Sequence, residues 1–145
     1  MRRCGARRRV AGMRYFLLIF AVVGQSVLAA DDKPLIADPI VEKAVRKSLK
    51  KPEGKLTKAD LAKVTELYLY RTKTTDAGLE EVAKLQQLEE LWLHNTKITD
   101  VGLKDVDKLQ QLTNLFLTNT KVTKAGVAEL QKALPKCVVD SNPTK

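Results

Sequence analysis

Aromatic residues make up only 5% of this 145-residue chain, which carries two cysteines, one histidine and one tryptophan. From Asp31 onward Cys137 is the only cysteine, so no internal disulfide forms there and stability rests on packing. Beside Val138 and Val139, that lone cysteine reads as a small buried apolar residue rather than a reactive thiol. His94 has no second histidine or cysteine to complete a metal site. Ser48 is the only serine between residues 38 and 140 and is far from His94 in the chain, which leaves a serine triad without support. Gly54-Lys55 lacks both the upstream glycine and the following Ser or Thr of a phosphate loop. Glu80, Glu81, Asp105 and Asp107 fall on helical segments and read as solvent faces, not as an acid–base pair. These gaps imply no cofactor, no metal and no enzyme. The longest apolar run is also shorter than the roughly 20 residues a membrane helix needs.

Charge is present, but unevenly placed. The net charge of +9 suggests a nucleic-acid binder until it is located. Residues 1–30 hold six arginines and no acid, leaving 20 basic against 17 acidic residues from Asp31, or +3. No nucleic-acid partner is therefore expected. The leader itself reads as a signal peptide over 1–30: arginines, then YFLLIFAVV from Tyr15 to Val23, then GQSVLAADD. Val27 and Ala29 fit cleavage after Ala29, with Ala30 the alternative, and either Met1 or Met13 can start such a signal. Arg2-Arg3 is poorly framed as a twin-arginine signal, and Cys4 follows no lipobox-like sequence. The expectation is an exported protein (periplasmic, extracellular or cell-surface) with no membrane span once the signal is cut.

The remainder is organised by repetition. ELYLYRTKTTDAGLEEVAKLQQLE from Glu66, ELWLHNTKITDVGLKDVDKLQQLT from Glu90 and NLFLTNTKVTKAGVAELQKALPKC from Asn114 align without gaps at a period of 24. Each unit alternates first, as Leu91-Trp92-Leu93-His94 does, which is the pattern of a half-buried strand. Leu103, Val106 and Leu109 then recur every three residues, as one helix face does. Thr75, Thr99 and Thr123 stand where a helix is capped, and Asp76 and Asp100 fall in the first turn, where the helix dipole favours negative charge. Lys124 replaces that acid in the third unit. Gly78, Gly102 and Gly126 are poor helix formers, which points to close approach between neighbouring turns. Thr72, Thr96 and Thr120 stand where the chain leaves the strand, with hydroxyls placed to bond backbone groups at that corner. Strand, helix and parallel strand at a period in the twenties stack into a solenoid, strands on the concave side and helices on the convex side. Leu91, Leu93, Ile98, Leu103, Val106, Leu109 and Leu112 are the inward positions of the middle unit.

Leu91-Trp92-Leu93, Thr96, Ile98-Thr99-Asp100 and Gly102-Leu103 resemble the L-x-L-x-x-T-x-[IV]-T-D-x-G-L unit of bacterial, planctomycete-type leucine-rich-repeat proteins. Thr74, Lys124 and Val127 depart from it in the two outer units. The resemblance implies an α/β leucine-rich-repeat solenoid, a short right-handed β-α horseshoe, and an interaction role without a named partner. Upstream, Asp38-Pro39 starts a helix, Glu42 and Arg46 pair four apart, Pro52-Glu53-Gly54 ends it, and Thr57 with Asp60 forms a capping box. This layout is similar to the helical N-terminal cap of internalin-like proteins. The expected division is a linker at 31–37, a cap at 38–65, repeats with a terminal strand around Val138-Val139 at 66–140, and a polar tail at 141–145.

The residues between the inward leucines face out of the sheet. Stacking sets Tyr68, Trp92 and Phe116 in one column, flanked by Glu66, Glu90 and Asn114, by Tyr70, His94 and Thr118, and by Arg71, Asn95 and Asn119. The columns read as a recognition strip for a protein partner, with a glycan stacked on the rings as the alternative, or as aromatic pairs that stabilise the sheet. Glu66 beside Glu90 reads either as an acidic pair for a basic partner or as two solvated side chains. Lys73, Lys97 and Lys121 form a solvated edge that opposes aggregation. The face projects to about 15 by 17 Å, well below the roughly 800 Å² per partner of a standard interface, so the face alone binds weakly, whether to a foreign partner or to itself.

Overall fold

Each unit changes period from two to three residues at its threonine, and the backbone changes with it. The computed structural model describes residues 33–142; the leader assigned to 1–30 and the end of the polar tail lie outside the described residues. The elements run α1 Pro39–Ser48, α2 Lys58–Leu61, β1 Glu66–Tyr68, α3 Asp76–Val82, β2 Glu90–Trp92, α4 Asp100–Val106, β3 Asn114–Phe116, α5 Lys124–Ala133 and β4 Val138–Asp140. The strands form one parallel sheet in the order β1-β2-β3-β4, with Leu67 opposite Leu91, Leu91 opposite Leu115 and Leu115 opposite Val139. Backbone pairing continues past the strands, from Leu69 N to Trp92 O at 2.9 Å and from Arg71 N to His94 O at 3.0 Å.

All seven inward positions of the middle unit are buried, in one core that runs from Ile36 to Cys137. Each fully buried large apolar side chain supplies about 1.5–3 kcal/mol. Thr74, which takes the place of Ile98 and Val122, is fully buried, and its hydroxyl pairs with that of Thr72 at 2.7 Å. The corner threonines bond as expected: Thr72, Thr96 and Thr120 donate to the carbonyls of Leu69, Leu93 and Leu117 at 2.5, 2.6 and 2.7 Å. Each bond stays inside its own unit.

Beyond the strand ladder and the shared core, the aspartate joins one helix start to the next. Asp76 accepts the backbone N–H of Thr99 at 2.8 Å and its hydroxyl at 2.7 Å; Asp100 does the same for Thr123 at 2.8 and 2.6 Å. The expected dipole contact therefore describes only where these residues sit; the carboxylates are used on the next unit. Hydrogen bonds to a charged group contribute about 1.5–3 kcal/mol each. Oriented in this way, Thr99 caps Val101 N and Thr123 caps Gly126 N. Thr75 has no preceding repeat to orient it. It stands at the N-cap of α3 with no side-chain cap bond, contrary to the expectation from its sequence. Lys124 replaces the aspartate in the last unit, after which no further helical unit follows among the described residues.

The glycines make room for this contact. A Cβ on Gly102 would lie 2.5 Å from Asp76 Oδ1 and 2.8 Å from Leu79 Cδ1, and one on Gly126 would overlap the Asp100 carboxylate. At Gly78 the nearest atom is Thr74 Cγ2 at 3.1 Å, with Asp38 Oδ2 at 3.3 Å. Asp38 thus stands in the cap as Asp76 and Asp100 stand in the first two repeats, but its Oδ1 accepts Ile40 N and Val41 N of its own helix.

The cap follows its sequence closely. Glu42 pairs with Arg46 at 2.8 Å, and the Thr57–Asp60 capping box is complete. The Lys51 ammonium, followed by the Thr57 N–H and hydroxyl, holds the Asp60 carboxyl well below the usual carboxylate range. Helix α1 stops before Pro52-Glu53-Gly54: Lys50 turns left-handed at φ 52°, with Lys51 N bonded to Arg46 O and Lys50 N to Lys47 O. The segment expected to be a linker carries a core residue. Ile36 is buried, Ala37 N donates to Glu81 and Lys84 reaches the Leu35 carbonyl.

Because Gly102 faces a carboxylate held by two hydrogen bonds, Gly102→Ala should lower unfolding free energy by about 2–3 kcal/mol despite alanine's better helix propensity. Gly78→Ala, against a methyl group at 3.1 Å, should cost less. Urea titration of both variants checks the order, and equal costs would contradict the steric role assigned to the aspartate.

Candidate interaction surface

Alternation along the strands turns Leu67, Leu69, Leu91, Leu93, Leu115 and Leu117 inward, all essentially unexposed, and leaves the residues between them outside. Tyr68 and Tyr70 are exposed at 40% and 41%, large values for aromatic rings on a sheet. Trp92, His94 and Phe116 are half-buried, because each is partly covered by its neighbours. The rings form one connected group. Trp92 stacks on Phe116 with centroids 3.9 Å apart and lies 5.8 Å from Tyr68 at 32°. Tyr70 stacks on His94 at 4.8 Å and 5°, and edge contacts link Tyr68 to Tyr70 and Trp92 to His94.

The orientation decides what the strip presents. Stacking along the row turns ring faces toward one another, so Trp92 offers mainly an edge to solvent. Its Nε1 is buried and donates to no group among the described residues. An unpaired buried donor costs about 1–3 kcal/mol.

The flanking columns are more self-satisfied than their sequence suggests. The Tyr68 hydroxyl donates to Glu66 at 2.6 Å, and Glu90 accepts from Asn114 Nδ2 at 3.2 Å. The two glutamates, opposite each other on β1 and β2, thus each have a neutral partner of their own. Hydrogen bonding to Glu66, with burial second, pushes the Tyr68 hydroxyl above its ordinary ionisation range. Thr118 is half-buried beside the rings.

Arg71, Asn95 and Asn119 belong to the corner as much as to the face. All three adopt left-handed backbone, at φ 56°, 59° and 57°. Asparagine tolerates this conformation better than most residues, which is a signal the sequence carries at 95 and 119. Asn119 Nδ2 bonds Asn95 Oδ1 at 2.6 Å, and Asn119 N bonds Asn142 Oδ1. The structure also adds two residues to the face that column reasoning left out: Val138, 68% exposed, and Asp140, opposite Phe116.

The residues weighed for chemistry are engaged elsewhere. Ser48 donates to the Glu66 carbonyl at 2.7 Å and ties α1 to the edge of β1. Cys137 is buried, and burial pushes its thiol up to about 11. No group of three His, Cys, Asp or Glu side chains that could hold a metal converges among the described residues. No helix among them is long and apolar enough to cross a membrane.

Arg71 occupies a backbone conformation that the other two units fill with asparagine. Arg71→Asn should raise unfolding free energy by about 0.5–1 kcal/mol, and Asn95→Ala should lower it. Denaturant midpoints measure both, and a loss of stability in Arg71→Asn would refute the backbone argument.

No family model and no curated protein matches the sequence. Among solved structures, the chain is similar to an internalin (inlF) from Listeria monocytogenes, with a TM-score of 0.59 and 23% identity over 77% of this chain and 32% of that one. It is also similar to an internalin C2 (inlC2) from Listeria monocytogenes, with a TM-score of 0.52 and 25% identity over 77% of this chain and 58% of that one. The chain spans about a third of the first internalin and somewhat over half of the second. With the parallel sheet and its row of helices, this similarity makes the fold an α/β leucine-rich-repeat solenoid.

Proposed function

We propose that this chain is an exported, non-enzymatic leucine-rich-repeat module that binds another protein through its concave sheet face. The observation that carries the reading is the group of five rings held outside a leucine core, one of them with an unpaired indole N–H. Aromatic residues at the centre of an interface carry most of its binding energy. Export is supported by the leader pattern of residues 1–30. The repeat consensus resembles that of bacterial, planctomycete-type leucine-rich-repeat proteins, which supports an origin of that kind.

A protein ligand fits the ring geometry better than a glycan. A sugar ring packs on an open aromatic face, whereas Phe116 covers one face of Trp92 and Tyr68 leans over the other. Edges and the grooves between them suit protein side chains instead. The small area of the face keeps such binding weak unless the cap or the strand-end loops join in.

Trp92→Ala should reduce capture of a protein partner from envelope or culture extract by about thirtyfold, the effect of losing an interface anchor worth about 2 kcal/mol. Circular dichroism checks that the variant stays folded. Equal capture by wild type and variant would remove this face from the account, and a Trp92-dependent signal on a glycan array without protein capture would favour the glycan reading.

A further inference from the structure

The charges around the rings are not scattered. Glu66 and Glu90 open strands β1 and β2, and exposed Glu89 lies just ahead of β2. At the other end of the strands stand Arg71, Lys73, Lys97 and Lys121, all exposed. Residues 70–75, 94–99 and 118–123 include no acid. Lys63 and Lys136 lie before the strands, and Asp140 is the one acid in the aromatic row. Near the cap, then, the face is acidic where the strands begin, aromatic in the middle and cationic where they end.

We propose that this face recognises a second copy of the chain, face to face, about a two-fold axis running across the strands. A surface polarised along its strands is complementary to itself only when the copy is turned end for end. Antiparallel strands bring Glu66 of one copy to Arg71 and Lys73 of the other, and Glu90 to Lys97. The two-fold symmetry makes each contact twice. A two-fold axis along the strands instead reverses the strand order, so that Glu66 meets Val138 and Glu90 meets Asn114 while Lys97 meets Lys121. Charge thus selects one orientation, and ring edges meet ring edges between the charged rims.

The area fixes the strength. A face of a few hundred Å² per copy lies below the standard interface, so the pair is weak and reversible rather than a permanent dimer. Self-pairing covers the rings when the protein is concentrated and competes with any foreign partner for them. It does not require that such a partner exist, so it stands or falls separately from the capture experiment.

A charge exchange tests it with the full chain. Sedimentation velocity of the wild type over a concentration series should show a salt-sensitive monomer–dimer equilibrium. The double variant Glu66→Lys, Glu90→Lys makes both rims cationic, and the triple variant Arg71→Glu, Lys73→Glu, Lys97→Glu makes the rims that face each other near the cap both acidic; each alone should lose self-association by about tenfold or more. Mixed in equal amounts, the two variants should associate again, because each rim then meets its opposite. Circular dichroism confirms that both are folded. A wild type that stays monomeric, variants that associate like wild type, or a mixture that stays monomeric would each overturn the proposal.

Discussion

The carboxylate at the start of one helix holds the amide and hydroxyl of the threonine that starts the next, and the rest of the stack depends on this contact. Asp76 to Thr99 and Asp100 to Thr123 fix both the height and the rotation of successive units, since two oxygens of one planar group meet two donors of one residue. Leucine burial alone is non-directional and tolerates sliding. The paired hydrogen bonds do not. Together with the backbone ladder of the parallel strands, they set the register in which Leu67 meets Leu91 and Leu91 meets Leu115, and hence the column in which Tyr68, Trp92 and Phe116 stand. Glycine at 102 and 126 follows from the same contact, because a methyl group would occupy the space of the oxygen.

The ends obey the same logic. At the cap, Asp38 fills the position beside Gly78 while capping α1, Ser48 holds the open edge of β1, and Ile36 extends the core past the first repeat. At the far end, Lys124 replaces the aspartate, and Leu130, Leu134 and Cys137 close the core beneath β4. A solenoid unit buries its apolar face only against neighbours, so each end needs a cover of different composition.

Much of this was legible in the sequence because period and residue type coincide. Leucine spacing placed the strands and the core, and the Asp38-Pro39 and Thr57–Asp60 patterns marked their helix starts. The destination of Asp76 and Asp100 was not legible. A first-turn acid satisfies the helix dipole and an interhelix contact equally well, and only packing tells which partner lies closer. For the same reason Thr75 looked like Thr99, although no upstream carboxylate orients its hydroxyl. Ile36 sits among prolines and charges in a stretch too short to show a period. On the surface, the columns of side chains followed from alternation, but rotamers did not. Whether Trp92 offers a face or an edge depends on how closely Phe116 stacks upon it, and that geometry separates a glycan platform from a protein-binding strip.

The proposed interaction face therefore depends on register, and register in part on the interunit carboxylate. The most direct measurement is a double-mutant cycle on unfolding free energy with Asp76→Ala, Thr99→Ala and the double variant. Cooperative contact between the two side chains predicts a coupling of about 1 kcal/mol or more. Additivity within about 0.3 kcal/mol would contradict it and leave leucine burial and strand pairing to set the stack.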